Sequence, residues 1–459
     1  MEIKGGFILV KFYQQIGDDA KGSSKMRIGV RNLESVFWSA ALVALISFLG
    51  CSPAKAEEVG PPEWLFKSTE NYCYRIPTVI SRGSKVVVAV ERRWGTSRPD
   101  GSLNFSGFLP ESVQEFSPNK CSDWGYVDVV ARRSDDFGKT WQALDIVIPF
   151  QRFIKAPYKI ALAGNPALVD NGKALILMFV VSRSSGTFNG GICARQERPS
   201  RCGEDYNYGI WKVESSDLGK TWSSPVEVAL PPKDNGAARV GPGHGIRLSN
   251  GDLLMPGYPW LLKSRDGGNV WERAAGAQIN ELRGDETAIV ELAPNKIWAT
   301  VRPNKKTIAD HIKQYPFRIT ALSNDGGESY HDVFLDQRFK SPRVEAGALK
   351  YRDRILVSYP ESGLPSTARD PLMEKITDRK NLVVAVGDQN ATNWRVCEID
   401  SRNSGYSDIA EIDDGVLLVY EGVANSLLSD DNRQGIVYRS FNDRFLDSCG
   451  VAPQQNNGP

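Results

Sequence analysis

One eight-residue cassette occurs four times, and its recurrence limits the folds open to this chain more than any other feature. The Asp side chain can accept hydrogen bonds from amides of its own turn, and the Gly supplies a backbone conformation that other residues resist. The aromatic ring can pack beneath the turn. The copies fit S-x-D-x-G-x-[TVS]-[WY] and begin at serines 81, 49 and 59 residues apart: SDDFGKTW at Ser134, SSDLGKTW at Ser215, SRDGGNVW at Ser264 and SNDGGESY at Ser323.

Each cassette follows an apolar run typical of a β-strand, such as VDVVA at 127–131 before the first copy. A fixed turn at irregular spacing indicates repeated sheets joined by variable loops, which is typical of β-propeller blades. A fifth, degenerate copy is expected at 386–394 (VGDQNATNW). The cassettes resemble the Asp-boxes of the sialidase superfamily. Non-enzymatic propellers also contain Asp-boxes, so the cassettes predict the fold and not the function.

Composition excludes some classes of function. The chain has 459 residues, with 56 basic and 55 acidic side chains, and this near-neutral balance argues against a nucleic-acid partner. The three histidines, at 244, 311 and 331, show no zinc-ligand spacing, and there is no CxxC motif. We therefore expect no metal and no other cofactor.

The N-terminal residues resemble an export signal. Basic residues precede an apolar run of 14 residues at 36–49, and the sequence AKA follows at 54–56. We predict an N-terminal extension and signal peptide over 1–56 and a catalytic domain over 57–459, in a protein that is periplasmic or secreted. Met26 is an alternative start. Lipidation of Cys51 is an alternative to simple cleavage, and it is the only membrane association that we expect.

Six cysteines remain once Cys51 is removed or lipidated, and an even number in an exported protein favours disulfides. Buried free thiols are the alternative. Six cysteines allow 15 pairings, among which sequence alone does not decide. Cys193 and Cys202 lie close in the chain and could close a loop, and for the others we predict Cys73–Cys121 and Cys397–Cys449.

Four arginines lie on or beside apolar strands: Arg75, Arg93, Arg302 and Arg379. Strands of a propeller radiate from one axis, so their ends can converge on one mouth. Converged guanidinium groups repel each other unless an anion compensates them, and a carboxylate matches their paired donors. The pattern therefore favours a site for an acidic ligand.

Three segments resemble motifs of the exo-α-sialidases, and the resemblance extends from about Tyr74 to Leu446. They are YRIP at 74–77, ETAIVEL at 286–292 with an arginine sixteen residues past its Glu, and RKNL at 379–382. The resemblance implies an all-β fold, a six-bladed β-propeller of four-stranded antiparallel sheets. It implies that Arg75, Arg302 and Arg379 grip the substrate carboxylate and that Arg93 lines the pocket. Asn165 matches a position near the substrate's 4-hydroxyl.

The same resemblance implies the catalytic residues. Asp123, in SDWGYVD at 122–128, matches the general acid/base, with Asp100 as a rival for this role. Glu286 matches the base, and Tyr406, in GYSDI at 405–409, matches the nucleophile. Because sialic acid carries a carboxylate on its anomeric carbon, a neutral Tyr avoids the repulsion that an anionic nucleophile would meet. Two displacements would retain the anomeric configuration.

The predicted function is that of an exported exo-α-sialidase acting on a sialylated glycan, which can be a glycoprotein, glycolipid or oligosaccharide. Hydrolysis of another 2-keto-3-deoxy sugar acid, Kdn or Kdo, is one alternative. Trans-sialylation is a second, and it would need an aromatic acceptor platform to which Trp94 or Trp124 cannot be assigned from sequence. A sialic-acid-binding propeller without turnover is the third.

Overall fold

Strands make up nearly all of the regular structure, which confirms the predicted all-β class. The computed structural model describes residues 59–69, 72–94, 127–153, 162–182, 208–230, 239–258, 260–276, 278–279, 282–303, 317–361, 379–422 and 435–451. Within these ranges the helices are a short 3-10 helix, Phe150–Phe153, and α1, Asp443–Asp447.

The strands are numbered in chain order. The first are β1 (Glu63–Lys67), β2 (Tyr72–Arg82), β3 (Lys85–Trp94), β4 (Val127–Ser134), β5 (Asp145–Ile148), β6 (Leu162–Asp170), β7 (Leu175–Ser182), β8 (Tyr208–Ser215), β9 (Val226–Glu227), β10 (Arg239–Val240), β11 (Ile246–Arg247), β12 (Leu253–Met255), β13 (Gly257–Tyr258) and β14 (Trp260–Ser264). The others are β15 (Glu272–Gly276), β16 (Gln278–Ile279), β17 (Leu282–Ala293), β18 (Lys296–Pro303), β19 (Phe317–Ser323), β20 (His331–Lys340), β21 (Gly347–Tyr351), β22 (Arg354–Pro360), β23 (Lys380–Asp388), β24 (Trp394–Ile412), β25 (Gly415–Gly422), β26 (Gly435–Asn442) and β27 (Gly450–Val451).

Sequence neighbours pair antiparallel in repeated meanders. One sheet has the order β2-β3-β4-β6-β7-β8-β9 with β5 on β4, and a single parallel pair, Val127 with Leu162, joins its two halves. A four-stranded sheet follows, β11-β12-β14-β15, beside the pair β10-β13. A five-stranded sheet runs β16-β17-β18-β19-β20. The last sheet has the order β21-β22-β23-β24-β25-β26-β1, with β27 on β24.

Strand β24 belongs to two meanders at once. Its first half pairs with β23 as far as Asn403, and its second half pairs with β25 from Ser404 onward. The final meander is completed from the other end of the chain, because β1 pairs antiparallel with β26 and places Lys67 opposite Gly435. The first described strand and β26, near the other end of the chain, are therefore hydrogen-bonded neighbours.

Strand β3 shows how the sheets pack. Successive side chains of a strand point to opposite faces, and Val86, Val88 and Val90 join one buried cluster while Val87 and Ala89 join another. The unbroken apolar run VVVAV is therefore buried on both faces of its sheet.

The buried clusters connect the meanders in chain order. One cluster joins β3 and β4 to β6 and β7, a second joins β7 to β12 and β14, and a third joins β12 to β17 and β18. A fourth joins β17 and β18 to β22 and β23, a fifth joins β22 and β23 to β25 and β26, and the last joins β25 to β3. The sequence of contacts thus returns to its starting meander.

The four cassettes form the turns that their residues predict. In the first, Ser134 Oγ donates to Asp136 at 2.7 Å and accepts from the Gly138 amide at 2.8 Å. The Thr140 hydroxyl and amide also donate to Asp136, and these bonds lower the pKa of its carboxyl to about 2. The same Ser–Asp and Gly–Ser bonds recur in the copies that begin at Ser215, Ser264 and Ser323.

The residue before the conserved Gly also adopts a positive φ, which the sequence pattern does not reveal. It is Phe137, with φ 64°, in the first copy, and Leu218, with φ 57°, in the second. The degenerate fifth copy keeps the central bonds, since the Thr392 amide and hydroxyl donate to Asp388 at 2.9 and 2.7 Å. It forms this turn without the Ser or the Gly.

The predicted Cys397–Cys449 disulfide is present, with Cα atoms 4.7 Å apart. Cys73 is also disulfide-bonded, and its partner, like the predicted Cys121, lies outside the described residues. The boundary at Ala56, Cys51 and the pair Cys193–Cys202 lie outside them too. In the described part of the chain, helices reach neither the length nor the apolar character needed to cross a membrane.

Two adjacent glycines of the third cassette give a matched test of packing between meanders. Both have positive φ, but a Cβ on Gly267 would enter open space, whereas one on Gly268 would lie 2.2 Å from the buried Ile176 Cδ1. We expect Gly267→Ala to lower the free energy of unfolding by about 1 kcal/mol through backbone strain. Gly268→Ala should cost about 1–3 kcal/mol more through overpacking. Equal urea unfolding midpoints for the two variants would contradict this packing.

Candidate active site

Tyr406 and Glu286 form the centre of the site. Tyr406 lies on β24 with 6% of its surface exposed, and its hydroxyl donates to Glu286 Oε1 on β17 at 2.7 Å. The same hydroxyl accepts from Arg302 Nη1 on β18 at 2.5 Å. Arg302 Nη1 also donates to the second oxygen of Glu286, so the three side chains close a ring of hydrogen bonds.

Four strands carry site residues in or beside a β-bulge, where two residues on one strand lie opposite a single residue on its partner. A bulge interrupts the ladder and re-aims side chains, and such bulges are frequent next to active sites. The bulges lie between Arg75 and Thr78 in β2, Gly164 and Ala167 in β6, Gly284 and Thr287 in β17, and Ser404 and Ser407 in β24.

The electrostatics of the central ring keep the phenol protonated. Burial raises the pKa of Tyr406 because it disfavours the phenolate, and Glu286 acts in the same direction. Arg302, Arg379 and Arg75 oppose this rise. Burial alone would lower the pKa of Arg302, but Glu286, Tyr406 and Asp285 together raise it. The site therefore holds a neutral tyrosine whose hydroxyl donates a hydrogen bond to the Glu286 side chain.

Arg75 is paired with a carboxylate that sequence reasoning missed. Its Nε and Nη2 donate to the two oxygens of Glu421 at 2.9 and 3.1 Å, and both side chains are buried. The Ile76 amide donates to the same carboxylate at 3.1 Å. Arg75 Cζ lies 5.4 Å from the centroid of the Tyr406 ring.

Arg379 approaches the same ring, with its Cζ 5.2 Å from the centroid. Its Nη2 donates to the carbonyl of Arg343 at 2.8 Å, and within the described ranges no carboxylate lies within ion-pair distance of it. Burial lowers the pKa of Arg379, and Arg75 and Arg302 lower it further by repulsion. The three predicted clamp arginines are therefore together, and Arg379 is the one without a carboxylate partner in the described part of the chain.

Arg93 and Asn165 form an adjoining group around Glu91. Arg93 Nε donates to Glu91 at 2.7 Å, and the backbone amide of Asn165 donates to the other oxygen of that carboxylate at 2.7 Å. Glu91 lies opposite Arg75 in the β2–β3 register. The predicted pocket residues thus adjoin the arginine cluster without a described contact to Tyr406.

Asp123 and its rival Asp100 both lie outside the described residues, so the assignment of the acid stays a prediction. The described residues contain no group of three or more His, Cys, Asp and Glu side chains arranged to hold a metal ion. Glu91 and Glu421 each follow directly after an apolar run within a strand, in VVVAVE and VLLVYE. This signal would have found them, because a charged residue at the end of a buried strand needs a partner.

The fold and site define an all-β Asp-box protein with buried arginines gathered around a Tyr–Glu pair. Residues 117–419 match the BNR repeat-like domain family. The chain belongs to this family, the exo-α-sialidase family with Asp-box (BNR) repeats.

Named relatives agree with this family. The sialidase of Bacteroides fragilis is 29% identical over 193 residues, which cover 39% of this chain and 34% of that protein. The sialidase of Micromonospora viridifaciens is 25% identical over 375 residues, covering 76% of this chain and 51% of that protein. The chain therefore spans about a third to a half of the length of these curated relatives. The Trypanosoma rangeli sialidase, solved with 2,3-difluoro-KDN, shares the fold with a TM-score of 0.56 at 18% identity, over 82% of this chain and 54% of that one.

The buried Arg75–Glu421 pair leads to a stability prediction with a matched control. Glu421→Gln removes the buried negative charge that accepts two hydrogen bonds from Arg75, and we expect it to lower the free energy of unfolding by about 3–5 kcal/mol. Glu214→Gln removes a half-exposed partner of Lys212 and should change stability by less than about 1 kcal/mol. Denaturant unfolding of both variants measures the difference. A Glu421 variant as stable as the control would show that this carboxylate does not hold Arg75.

Proposed function

We propose that this protein is an exported exo-α-sialidase that hydrolyses terminal α-ketosidically linked sialic acids from glycoconjugates with retention of configuration. The observation that carries the proposal is the cluster of Arg75, Arg302 and Arg379 around Tyr406, in which Arg379 has no carboxylate partner in the described part of the chain. Arg379 is partly buried, and the neighbouring charges of Arg75 and Arg302 repel its own, so an anionic ligand would stabilise this arrangement. A sugar carboxylate supplies that anion.

For the architecture, we propose a six-bladed propeller. The meanders divide into six groups of four strands, with β24 shared between the last two and β1 completing the final group. The buried cluster that joins β25 to β3 supports closure of the ring. Closure would bring β2, β6, β17 and β24, with their bulges, to one central axis.

The first half of the reaction would use the Tyr–Glu pair. Glu286 takes the proton of the Tyr406 hydroxyl as the phenol oxygen attacks the anomeric carbon, and the bond to the leaving oxygen breaks. Asp123 donates a proton to that oxygen. The arginines hold the carboxylate and supply a fixed positive field as the sugar ring gains positive charge.

The second half reverses these roles. Asp123 takes a proton from a water molecule, whose oxygen attacks the anomeric carbon. The bond to Tyr406 breaks, and the phenol oxygen recovers its proton from Glu286. Two displacements at one carbon give net retention. Arg302 contacts the phenol oxygen in the resting site, so it is placed to stabilise negative charge on that oxygen in both halves.

The alternatives use the same machinery. Hydrolysis of Kdn or Kdo differs only in the groups that read the rest of the sugar, and the Trypanosoma rangeli sialidase was solved with a Kdn derivative. Transfer to a second sugar would replace the water. A propeller that only binds would need the arginines but would have no use for the Tyr406–Glu286 hydrogen bond, which favours an enzyme.

Release of 4-methylumbelliferone from its N-acetylneuraminyl, Kdn and Kdo conjugates distinguishes these substrates. We expect the highest kcat/KM on the N-acetylneuraminyl conjugate, with the α-anomer of the free sugar as the first product in NMR. A preference for Kdn or Kdo would assign the corresponding alternative. Binding of a 2,3-unsaturated sialic acid without turnover of any conjugate would favour the binding protein.

The role of Tyr406 has a sharper test. Tyr406→Phe removes the attacking oxygen but keeps the ring between the arginines, so we expect turnover to fall by about 100-fold or more, about 3 kcal/mol of barrier. Tyr359→Phe is the matched control, because this buried hydroxyl has no hydrogen-bond partner among the described residues and its loss should leave turnover unchanged. A 3-fluoro sialosyl fluoride should label the peptide that contains Tyr406, seen by mass spectrometry. An adduct on a different residue would overturn the assignment.

Export completes the proposal. The signal-like residues at 1–56 and the Cys397–Cys449 disulfide both suit a periplasmic or secreted protein, with lipidation at Cys51 as the alternative. Expression of the full chain followed by cell fractionation and N-terminal sequencing would identify the processed end. Retention in the cytoplasm with an intact N-terminus would contradict export.

A further inference from the structure

Tyr406 lies at a break in the hydrogen-bond ladder of its own sheet. The bulge between Ser404 and Ser407 interrupts the pairing of β24 with β25, which resumes with Ser407 opposite Tyr420. Tyr406 is therefore not held by the regular ladder at its own position. Its hydroxyl must nevertheless meet Glu286 and Arg302, and small errors in such placement cost much of the rate of an enzyme.

The two residues that follow Tyr406 are bonded to other parts of the fold. Ser407 Oγ donates to the Ser358 carbonyl on β22 at 3.0 Å. The Asp408 carboxylate accepts a hydrogen bond from the backbone amide of Val79, on β2, at 2.9 Å, and its other oxygen lies 2.7 Å from His244 Nδ1. His244 stands between β10 and β11. Asp408 thus links β24 to two segments that are distant in the chain.

This linkage is buried and charged. Asp408 is fully buried, and 9% of the His244 side chain is exposed. Burial would lower the pKa of the imidazole, but Asp408 outweighs burial and raises that pKa, which favours an ion pair between the two side chains. A buried ion pair with short hydrogen bonds fixes geometry more strictly than an apolar contact, which has no preferred direction.

Only one other titratable group, Glu345, lines the small pocket shared by His244 and Asp408 among the described residues. Burial raises the pKa of Glu345, and Asp408 and Glu286 raise it further, while Arg318 opposes this. These effects favour the protonated form of Glu345. Of the carboxyl groups that line this pocket, Asp408 is the one that lies within hydrogen-bond distance of the imidazole.

We propose that the His244–Asp408 ion pair is a positioning site for Tyr406, which anchors the nucleophile's strand so that the phenol reaches Glu286 and Arg302. The catalytic part rests on the proposed function. The placement itself does not, because it concerns the geometry of this chain alone. His244 and Asp408 act through the backbone of β24 and are not catalytic residues.

The test compares His244→Ala with His244→Asn. Alanine removes the donor to Asp408, whereas the Asn amide can occupy the place of Nδ1–H and donate to the same carboxylate. We expect kcat of the Ala variant to fall about 10-fold or more with KM within about threefold, because the arginine clamp is retained. The Asn variant should recover most of kcat. Asn and Ala variants that are equally impaired, or an Ala variant with wild-type kcat, would overturn the proposal.

A surface pair provides the matched control. His331 Nδ1 lies 2.9 Å from Asp332 with both side chains exposed, so His331→Ala removes a similar contact away from Tyr406. Its kcat should equal that of the wild type. If His244→Ala does not fold, Asp408→Asn keeps the shape of the side chain but removes the negative charge that faces His244, and it should show the same selective loss of kcat. A folded Asp408→Asn protein with wild-type kcat would refute the positioning role.

Crystal structures separate this proposal from the proposed function. Tyr406 Oη and Glu286 Oε1 are 2.7 Å apart, and this separation should exceed hydrogen-bond distance in His244→Ala but not in His244→Asn. An unchanged separation in the Ala variant would overturn the positioning site, whatever the enzyme hydrolyses. If the wild type hydrolyses no sialoside while the separation changes as expected, the proposed function fails and the positioning site stands.

Discussion

The concentration of positive charge around one tyrosine is the constraint on which the centre of this protein depends. Guanidinium groups from β2, β18 and the residue preceding β23 lie within reach of a single phenol in a mostly buried setting. Like charges in such a place repel strongly because little water screens them. Glu421 compensates Arg75 and Glu286 compensates Arg302, so the surplus charge is concentrated at Arg379.

The β-sheet framework holds these charged side chains in place and sets their directions. Strands such as β3 are buried on both faces, so apolar packing fixes their positions. The bulges then depart from regular pairing where Asn165, Glu286 and Tyr406 must be aimed, and Arg75 stands at the edge of one. The turns at the cassettes are stabilised locally, by Ser–Asp and Gly–Ser bonds, and do not depend on the site.

Buried titratable groups also lie next to the site, in the pocket that His244, Glu345 and Asp408 line. Asp408 and Glu345 are neighbouring buried carboxyls, but Asp408 lies 2.7 Å from the His244 ring nitrogen, whereas burial and the charges of Asp408 and Glu286 raise the pKa of Glu345. Environment separates their roles, because each further negative charge in a dry region raises the cost of the next. The segment Tyr406-Ser407-Asp408 therefore carries a candidate nucleophile, a hydroxyl bonded to β22 and a carboxylate that contacts β2 and His244.

The sequence by itself determined the all-β class, the cassette turns and membership of the family, because each depends on local chemistry or on a motif that can be read along the chain. The structure selected the Cys397–Cys449 pair from the pairings that the sequence left open. The sequence also identified Arg75, Arg302, Arg379, Glu286 and Tyr406, which the structure brings together. Only the tertiary structure decided their partners. Glu421 is 346 residues from Arg75 and His244 is 164 from Asp408, and no local pattern encodes a contact over such distances. The bulges were equally hidden, since the pairing of two strands, and not the sequence of either one, determines where a residue is left over.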